Sequence, residues 1–286
     1  MRVLITGSDR GQLYWELNRT VPENATLVMP SSKLDITDSD AVRSTVEQLQ
    51  PSVIINAAAY TAVDNAEKEH ENAFAVNATA LGTLADAAKS VNARVLHVST
   101  DFVFGSVPAT PIKCDATTNP ISVYGKSKLA GEQLLLERWA ENSLVVRTAW
   151  VYSSHGNNFV KTMLRLMNER GEVGVIADQI GCPTWANSLA NALWRAADVP
   201  HCGVLHWTDA GAASWYDFAQ AIMEEGLDAG LLDKPAKVNP LTTDQYPTPA
   251  ARPNYSLLDL TETWEALDIQ ARHWRVELRN MMRELL

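Results

Sequence analysis

The sequence has few basic residues and no long apolar run. Its 24 Lys and Arg stand against 34 Asp and Glu, which gives a net charge of −10. Binding to DNA or RNA needs a basic patch or stripe, and no cluster of Lys or Arg forms one here. No run approaches the roughly 18 apolar residues of a membrane span, and the first apolar stretch is too short for a signal peptide. We therefore expect a soluble cytoplasmic protein that binds neither a nucleic acid nor a membrane.

Cysteine and glycine are also scarce. The three cysteines, Cys114, Cys182 and Cys202, have neither an even number nor the spacing of zinc ligands, so we expect reduced thiols. Fourteen glycines in 286 residues are about 5%, below the usual share of roughly 7%, so a glycine inside a motif is informative. The 46% of hydrophobic and 20% of charged residues are typical of a globular protein and exclude a disordered or fibrous chain.

Short apolar runs alternate with helical patterns through the first 150 residues, which is typical of βαβ units and a parallel sheet covered on both faces. Strands are predicted over residues 3–6, 26–29, 53–56, 94–99 and 144–148, and helices over residues 12–19, 39–50, 71–91 and 123–141. Beyond Trp150, helices are predicted over residues 158–169, 185–198, 214–227 and 272–286, with few strands and a proline-rich loop or strand edge over 239–253. We expect an α/β, Rossmann-like, doubly wound parallel sheet. Residues 1–150 would form a dinucleotide-binding domain and residues 151–286 a smaller, mainly helical substrate-binding region, with a discontinuous boundary.

A glycine-bearing turn follows the first predicted strand and opens a helix, Thr6-Gly7-Ser8-Asp9-Arg10-Gly11-Gln12. In a dinucleotide site such a turn lets the backbone approach the pyrophosphate, and the helix N-terminus offers free N–H groups and a positive dipole end. The same two glycines also suit a simple tight turn. Tyr14 stands where a third glycine usually allows close contact between helix and strand, so it decides how well a dinucleotide fits.

No acidic residue ends the second predicted strand, which reads Val28-Met29-Pro30-Ser31-Ser32-Lys33. A carboxylate at that place would bond the ribose 2′-hydroxyl of NAD and repel the 2′-phosphate of NADP. Its absence, with two hydroxyls and a lysine nearby, favours NADPH, with NADH as an alternative, although a simple surface turn would read the same. Asp35 follows and either reaches the adenine side of the cofactor or forms a turn.

Tyr124 and Lys128 form a Tyr-x-x-x-Lys pair at the start of a predicted helix, where residues i and i+4 share one face. A phenol with a pKa of about 10 is a poor acid at neutral pH, and a lysine ammonium beside it lowers that pKa. Such a tyrosine could protonate a carbonyl oxygen as hydride reaches its carbon. Ser99 or Thr100, at the end of the fourth strand, would hold that oxygen. The alternative is an ordinary Tyr–Lys contact on a helix surface.

Eight ordered blocks, spread over essentially the whole chain, carry a resemblance to a known family. They are Asn56-Ala57-Ala58-Ala59-Tyr60-Thr61-Ala62-Val63-Asp64 with Ala66-Glu67, Val76-Asn77-Ala78, Ser99-Thr100-Asp101, Tyr124 with Lys128, Trp150-Val151-Tyr152, Gly156-Asn157-Asn158-Phe159, Asp178-Gln179 with Gly181 and Pro183-Thr184, and Tyr246-Pro247-Thr248-Pro249-Ala250 with Arg252-Pro253. The chain thereby resembles the extended short-chain dehydrogenase/reductases and, within them, the dTDP-4-dehydrorhamnose reductase family.

The resemblance implies three sets of site residues. The catalytic set is Thr100, Tyr124 and Lys128, with Lys128 also holding the nicotinamide ribose. The cofactor would contact Gly7, Gly11, Gln12, Leu13, Asp35, Ile36, Ala57, Ala58 and Ala59 besides Tyr124 and Lys128. The nucleotide sugar would contact Thr61, Val63, Asp101, Trp150, Asn158 and Arg252. Trp150 and Asn158 suit structural packing equally well, whereas the guanidinium of Arg252 suits a phosphate.

The implied reaction is NADPH-dependent reduction of the C4 keto group of a dTDP-4-keto-6-deoxyhexose, from dTDP-4-dehydro-L-rhamnose to dTDP-L-rhamnose. Two alternatives stay open: a non-catalytic, nucleotide-binding regulatory subunit of the same fold, and a reductase or epimerase for another nucleotide sugar.

The chain departs from the family pattern at several positions. One residue is added between the two glycines of the turn, and Asn65, Phe102 and Ala251 replace a lysine, a tyrosine and a basic residue. Some family members bridge a dimer through Mg²⁺; Glu16 matches one acid, but Asn187 replaces a second. We therefore expect no metal and leave a homodimer open.

Overall fold

The structure of the protein is a computed structural model that describes residues 1–30, 33–105 and 109–286. Those residues form twelve strands: β1 (Arg2–Thr6), β2 (Thr26–Leu27), β3 (Val53–Asn56), β4 (Arg94–Thr100), β5 (Ser143–Thr148), β6 (Val151–Tyr152), β7 (Glu172–Ile176), β8 (Ile180–Gly181), β9 (Thr184–Trp185), β10 (Gly203–His206), β11 (Ala213–Ser214) and β12 (Lys237–Leu241). Six of them make one parallel sheet in the order β10-β5-β4-β3-β1-β2. The predicted doubly wound α/β fold is confirmed.

The same residues form eleven α-helices: α1 (Gln12–Arg19), α2 (Ser39–Leu49), α3 (Val63–Ala66), α4 (His70–Phe74), α5 (Ala80–Ser90), α6 (Val123–Trp139), α7 (Phe159–Arg170), α8 (Ala186–Asp198), α9 (Trp215–Asp228), α10 (Thr261–Leu267) and α11 (Trp274–Arg283). None of these helices has the length and apolar composition needed to cross a membrane.

The sheet is buried on both faces, which explains why its strands read as nearly unbroken apolar runs. Alternate strand residues such as Ile5 and Leu96 pack against α1 and α8. Their neighbours, such as Leu4 and Val95, pack on the opposite face against α2, α5 and α6. Helix α6, which begins with the Tyr-x-x-x-Lys pair, thus lies directly on the sheet.

The helix predicted over residues 71–91 is interrupted. It is divided into α4, a π-helical turn (Ala75–Thr79) and α5. A Cβ at Gly131 of α6 would clash with the carbonyl oxygen of Asn77, so the two segments pack at backbone distance only because residue 131 is glycine. The Asn77 side chain bonds the backbone N–H and carbonyl of Tyr60 and donates to the hydroxyl of Ser127, at 2.9, 3.1 and 2.9 Å. The π-turn therefore ties the segment after β3 to α6.

The chain after Trp150 has its own apolar core, formed by α7, α9, α11, β7 and β12. Its seven strands are more than we expected, and α10 was not predicted. Most of these strands span two residues, which is too short for an alternating pattern to appear in the sequence. The segment expected as a loop or strand edge begins as β12, which pairs in parallel with β7.

β10 adds the sixth strand to the main sheet beside β5, and α8 covers one face of that sheet. The main sheet layer therefore includes residues beyond 150. The two-domain division itself stays a prediction.

Candidate active site

The candidate site lies at the carboxyl edge of the sheet, where β1 and β3 end side by side and β4 extends beyond them to Thr100. The registers place Thr6 opposite Asn56 and Asn56 opposite His97. In open parallel sheets ligands bind at this edge, next to the point where the strand order reverses. Here β1 and β4 lie on opposite sides of β3; Gly7 follows β1, and Thr100 is the last residue of β4.

The glycine turn has the geometry of a phosphate-binding turn. Gly7 has φ +148°, which favours glycine, and the Gly11 N–H donates to the Ser8 carbonyl at 2.7 Å. Within the described residues no side chain caps the N-terminus of α1. The first N–H groups of the helix are thus left to meet an anion.

Tyr14 fills the space that a third glycine would leave open. A Cβ at Gly7 would lie 3.1 Å from Cδ2 of Tyr14 and 3.6 Å from the carbonyl carbon of Ala57. The half-buried ring packs with the apolar cluster between α1 and the sheet. The ring is accommodated because Gly7 has no side chain.

The small residues after β3 lie beside this turn. The Ala57 N–H donates to the Thr6 carbonyl at 3.0 Å, and the Ala58 N–H donates to Oδ1 of Asn56 at 3.2 Å. Ala57, Ala58 and Ala59 are half-buried, so they leave room above the carboxyl end of β3. Together with the uncapped helix, they fit a dinucleotide.

Asp35 forms a turn. Its carboxylate accepts from the backbone N–H and the hydroxyl of Thr37, at 2.9 and 2.8 Å, and these bonds lower its pKa. Ile36 is buried in the core. Ser31 and Ser32, on which the preference for NADPH partly depends, lie outside the described residues.

Gln12 and Asn158 connect the glycine turn to the second half of the chain. Asn158 caps α7 by accepting from the Lys161 N–H, and its Nδ2 donates to Gln12 Oε1 at 3.0 Å and to the Ser153 carbonyl at 2.6 Å. Both ends of the Asn158 amide are thus used within the chain, which favours its structural interpretation.

Trp150 is also held by packing. Its ring stacks on Trp215, with centroids 3.7 Å apart and planes inclined by 13°. A Cβ at Gly181 would lie 2.9 Å from the same indole. Trp150 therefore supports Trp215, which itself lines a cavity described below.

The predicted catalytic residues meet where α6 begins. Ser122 caps this helix by accepting from the Gly125 N–H at 3.1 Å. A Cβ at Gly125 would clash with the carbonyl oxygen of Phe102, so glycine is what lets the helix start approach the turn after β4. This approach brings the Thr100 hydroxyl close enough to Tyr124 to affect its pKa.

The electrostatics differ from the expectation that Lys128 lowers the pKa of Tyr124. Burial raises the pKa of Tyr124 to about 12, Thr100 opposes the rise, and the neighbouring Asp101 adds to it. Burial likewise raises the pKa of Asp101 to about 6. Desolvation of the buried phenol outweighs the effects of its neighbours, so Tyr124 is protonated at neutral pH.

Lys128 is fully buried and bonds to β4. Its Nζ donates to the Val98 carbonyl at 2.7 Å and lies 3.2 Å from His97 Nε2. Burial lowers the pKa of Lys128 to about 8, and Glu132, one helical turn further on, opposes this shift. His97 was not predicted from the sequence, although a polar side chain between the apolar residues of a buried strand could have indicated it.

A cavity of about 550 Å³ lies in the second half of the chain. Its walls are mostly apolar, and its lining includes Phe159, Leu166, Val175, Gln179, Trp215, Tyr246 and Arg252. Of the residues predicted to contact the nucleotide sugar, only Arg252 lines this cavity. Its cationic side chain beside an apolar wall suits a ligand with an aromatic base and phosphates.

Arg252 crosses to the segment after β3. Its two terminal nitrogens donate to the two carboxylate oxygens of Asp64 at 3.1 and 2.9 Å, and Nη1 also donates to Thr248 Oγ1 and the Ala250 carbonyl. Asp64 lies in the short helix α3, which begins at Val63, and Thr61 is exposed just before this helix. The pair therefore fixes the cavity rim beside two further predicted contact residues.

Glu16, the acid compared with a metal ligand, is buried and bonded within the chain. It accepts from Arg19, Ser153 and Asn187 at 2.6, 2.9 and 3.1 Å, and Arg19 also lies 2.6 Å from Glu284. Across the described ranges, no cluster of three or more His, Cys, Asp or Glu side chains could hold a metal ion. A metal-free protein stays a prediction.

The class of protein follows from the parallel sheet, the glycine turn after β1 and the Tyr-x-x-x-Lys pair beside a hydroxyl: these define a short-chain dehydrogenase/reductase. Within that class, a family model described as the RmlD substrate binding domain matches residues 1–286. The chain belongs to this family.

Relatives with established names extend over the whole chain. The dTDP-4-dehydrorhamnose reductase of Aggregatibacter actinomycetemcomitans is 43% identical over 98% of each chain, and that of Escherichia coli (strain K12) is 41% identical over 100% of this chain and 98% of its own. Among solved structures, dTDP-4-dehydrorhamnose reductase from Bacillus anthracis str. Ames in complex with NADP has a TM-score of 0.91 at 35% identity, covering 99% of both chains.

Proposed function

We propose that the protein is an NADPH-dependent reductase that converts dTDP-4-dehydro-L-rhamnose to dTDP-L-rhamnose in nucleotide-sugar biosynthesis. The observation that carries the proposal is the meeting of Thr100, Tyr124 and Lys128 at the carboxyl edge of the sheet, next to the uncapped helix α1. The named relatives, among them a structure in complex with NADP, support the cofactor and the substrate.

The glycine turn and the residues after β3 would hold the cofactor. The pyrophosphate would lie at the N-terminus of α1 against Gly7 and Gly11, and the three alanines after β3 would border the bound dinucleotide. When bound, NADPH supplies the hydride. NADH remains the alternative cofactor.

Tyr124 would act as the general acid. Its pKa of about 12 keeps the phenol protonated at neutral pH, which is the form needed to donate a proton to the C4 oxygen. Thr100 would hold that oxygen by a hydrogen bond, and Lys128 would hold the cofactor ribose and balance the charge that develops on Tyr124. Asp101 lies buried beside Thr100 and accepts from its hydroxyl at 3.0 Å, and this proton would turn from Asp101 to the C4 oxygen when the substrate binds.

The nucleotide part of the substrate would occupy the cavity lined by Trp215, Tyr246 and Arg252. Arg252 would meet the diphosphate, held in place by its two bonds to Asp64. Thr61 and Val63 would contact the substrate beside this rim, whereas Trp150 and Asn158 would act on the substrate site indirectly, through their contacts with Trp215 and Gln12. We further propose a cytoplasmic location, with a homodimer left open.

The test is NADPH oxidation, followed by absorbance, with dTDP-4-dehydrorhamnose as substrate. Tyr124→Phe should lower kcat about 10²- to 10⁴-fold, because the variant has no phenolic proton to donate, whereas its NADPH affinity should change far less. An unchanged rate in Tyr124→Phe would exclude this tyrosine as the acid. A panel of other nucleotide sugars separates this reaction from that of a related reductase or epimerase.

Tyr14 is the one observation that favours a non-catalytic binding protein. Its ring occupies the space beside Gly7 that a third glycine would leave open. Calorimetry of NADPH with the purified protein distinguishes the two functions: tight binding together with turnover excludes a purely regulatory role.

A further inference from the structure

The loop over residues 153–158, which joins β6 to α7, packs against the glycine turn after β1. His155 Nε2 donates to the Asp9 carbonyl at 3.0 Å. A Cβ at Gly156 would lie 3.3 Å from Cγ of Gln12, and Gly156 has φ +71°, a conformation that favours glycine. A loop from the second half of the chain therefore reaches the N-terminus of α1, where the proposed cofactor site lies.

Two backbone groups determine which way the Asn158 amide points. Its Oδ1 lies 3.1 Å from the backbone nitrogen of Lys161, whose N–H can only donate. Its Nδ2 lies 2.6 Å from the carbonyl oxygen of Ser153, which can only accept. A reversed amide would place like groups against each other at both ends, so the NH₂ group of Asn158 is fixed on the side of Ser153.

This NH₂ group in turn determines the orientation of the Gln12 amide. Asn158 Nδ2 can only donate, so the Gln12 atom that lies 3.0 Å from it must be the carbonyl oxygen Oε1. The NH₂ group of Gln12 is therefore directed away from Asn158. In the described part of the chain no protein atom accepts from this NH₂ group, and the side chain is only half-buried. It is thus available to a ligand.

The place of Gln12 in α1 indicates which ligand group this NH₂ meets. Gln12 is the first residue of the helix, directly after the N-cap Gly11. The first backbone N–H groups and the positive end of the helix dipole favour a diphosphate there. A diphosphate oxygen only accepts, so it attracts the NH₂ end of the Gln12 amide and repels the carbonyl end. The direction of the amide therefore decides whether Gln12 strengthens or weakens binding.

We propose that Asn158 is a positioning residue: it holds the carbonyl end of the Gln12 amide and thereby directs the Gln12 NH₂ to the diphosphate of the bound cofactor. The proposal rests on the cofactor site of the proposed function but does not require turnover. Asn158 also caps α7, which lines the cavity with Phe159 and Thr162. One side chain therefore connects the helix of the substrate cavity to the glycine turn of the cofactor site.

The test measures NADPH binding by calorimetry, without substrate, at about 0.3 M salt to screen added charge. Gln12→Ala removes the amide and should raise the dissociation constant about tenfold, the effect of one hydrogen bond to a charged group. Asn158→Asp keeps the cap of α7, because a carboxylate also accepts from the Lys161 N–H. It cannot donate to Gln12, which would turn its NH₂ to the carboxylate and its carbonyl oxygen to the diphosphate. We therefore expect a loss of affinity greater than that in Gln12→Ala.

The double variant shows whether Asn158 acts through Gln12. With Gln12→Ala already present, Asn158→Asp should change the dissociation constant less than about twofold, because no amide is left to turn. An equal loss of affinity with and without Gln12 would show that the new carboxylate acts by its charge or by loop packing, and would overturn the proposal. Asn158→Ser is the uncharged control: its hydroxyl caps α7 but is too short to reach Gln12, so we expect an intermediate loss. A loss as large as that in Asn158→Asp would also overturn the proposal, since the direction of the amide would then have no effect.

Binding of dTDP to the same variants separates positioning from a disturbed helix. Because Asn158→Asp keeps the cap of α7, its affinity for dTDP should stay close to that of the original protein. A parallel loss of dTDP and NADPH affinity would show a structural effect on α7 and overturn the proposal. If the original protein binds NADPH with the expected dependence on Gln12 and Asn158 but does not reduce the sugar, only the proposed reaction is wrong. If it binds no NADPH at all, the cofactor site and this inference are both wrong.

Discussion

Replacement of Tyr14 tests whether the altered glycine turn still accepts a dinucleotide. The ring is half-buried and lies against Gly7, packed with the cluster between α1 and the sheet. Removal of a fully buried aromatic ring costs about 3–5 kcal/mol, and about half of that applies to a half-buried ring. Glycine in a helix adds about 1 kcal/mol. Tyr14→Gly should therefore lower the free energy of unfolding by about 3 kcal/mol.

The affinity for NADPH should change much less than the stability. Because the ring packs toward the core, its removal should alter the dissociation constant by less than about threefold, which is under 1 kcal/mol. Denaturant titration measures the first quantity and calorimetry the second. Tyr14→Phe is the matched control: within the described part of the chain its hydroxyl has no hydrogen-bond partner, so both quantities should stay near those of the original protein.

A gain in NADPH affinity of tenfold or more in Tyr14→Gly would refute this reasoning. It would show that the ring obstructs the pyrophosphate, and it would favour the regulatory, non-catalytic alternative. An unchanged stability would refute the packing argument separately, because a ring that stabilises nothing cannot lie in the apolar cluster.

Three further predictions concern groups around the candidate site. Gly125→Ala forces the start of α6 away from Phe102, so kcat should fall about 100-fold or more in the NADPH assay while the protein stays folded. Glu132→Leu leaves the buried guanidinium of Arg147 unpaired and should cost about 3–5 kcal/mol in denaturant titration, whereas the double variant with Arg147→Met should recover most of it. The pKa of Asp101 is raised to about 6 in the folded protein, so the folded state holds this proton more tightly than the unfolded chain does. The contribution of the protonated carboxyl to the free energy of unfolding is therefore complete below about pH 4 and is lost as the pH rises through 6. The free energy of unfolding of Asp101→Asn should therefore rise by up to about 3 kcal/mol relative to the original protein between pH 4 and 7. If the free energies of unfolding of the two proteins instead change in parallel with pH, the prediction is wrong.

Local patterns predicted the elements that are long or buried on both sides. The apolar run of β3 and the amphipathic stretch of α1 have the predicted bounds, because burial on a known face imposes a period that a short window of sequence shows. β10 and the π-turn at Ala75–Thr79 were missed. Their conformation depends on a partner strand or helix far away in the chain, which leaves no periodic trace.

The candidate site divides in the same way. The spacing of Tyr124 and Lys128 determined that they share one helix face, since i and i+4 always do so in an α-helix. The pKa of Tyr124 followed instead from burial, which a residue spacing does not report. Likewise, Trp150 stacks on Trp215 and Asn158 bonds to the Ser153 carbonyl, whereas the sequence left open whether these two side chains pack within the chain or contact a ligand.

The sequence alone determined the doubly wound sheet, the glycine turn that opens α1 and the identity of the groups able to donate a proton. Only the tertiary structure decided that Asn56 faces His97, that His97 faces Lys128, and that Asp64 pairs with Arg252. The physical reason is that strand register and loop contacts arise from the packing of segments tens to hundreds of residues apart. Hydrogen-bond direction and desolvation, and thus the charge on each group, depend on that packing.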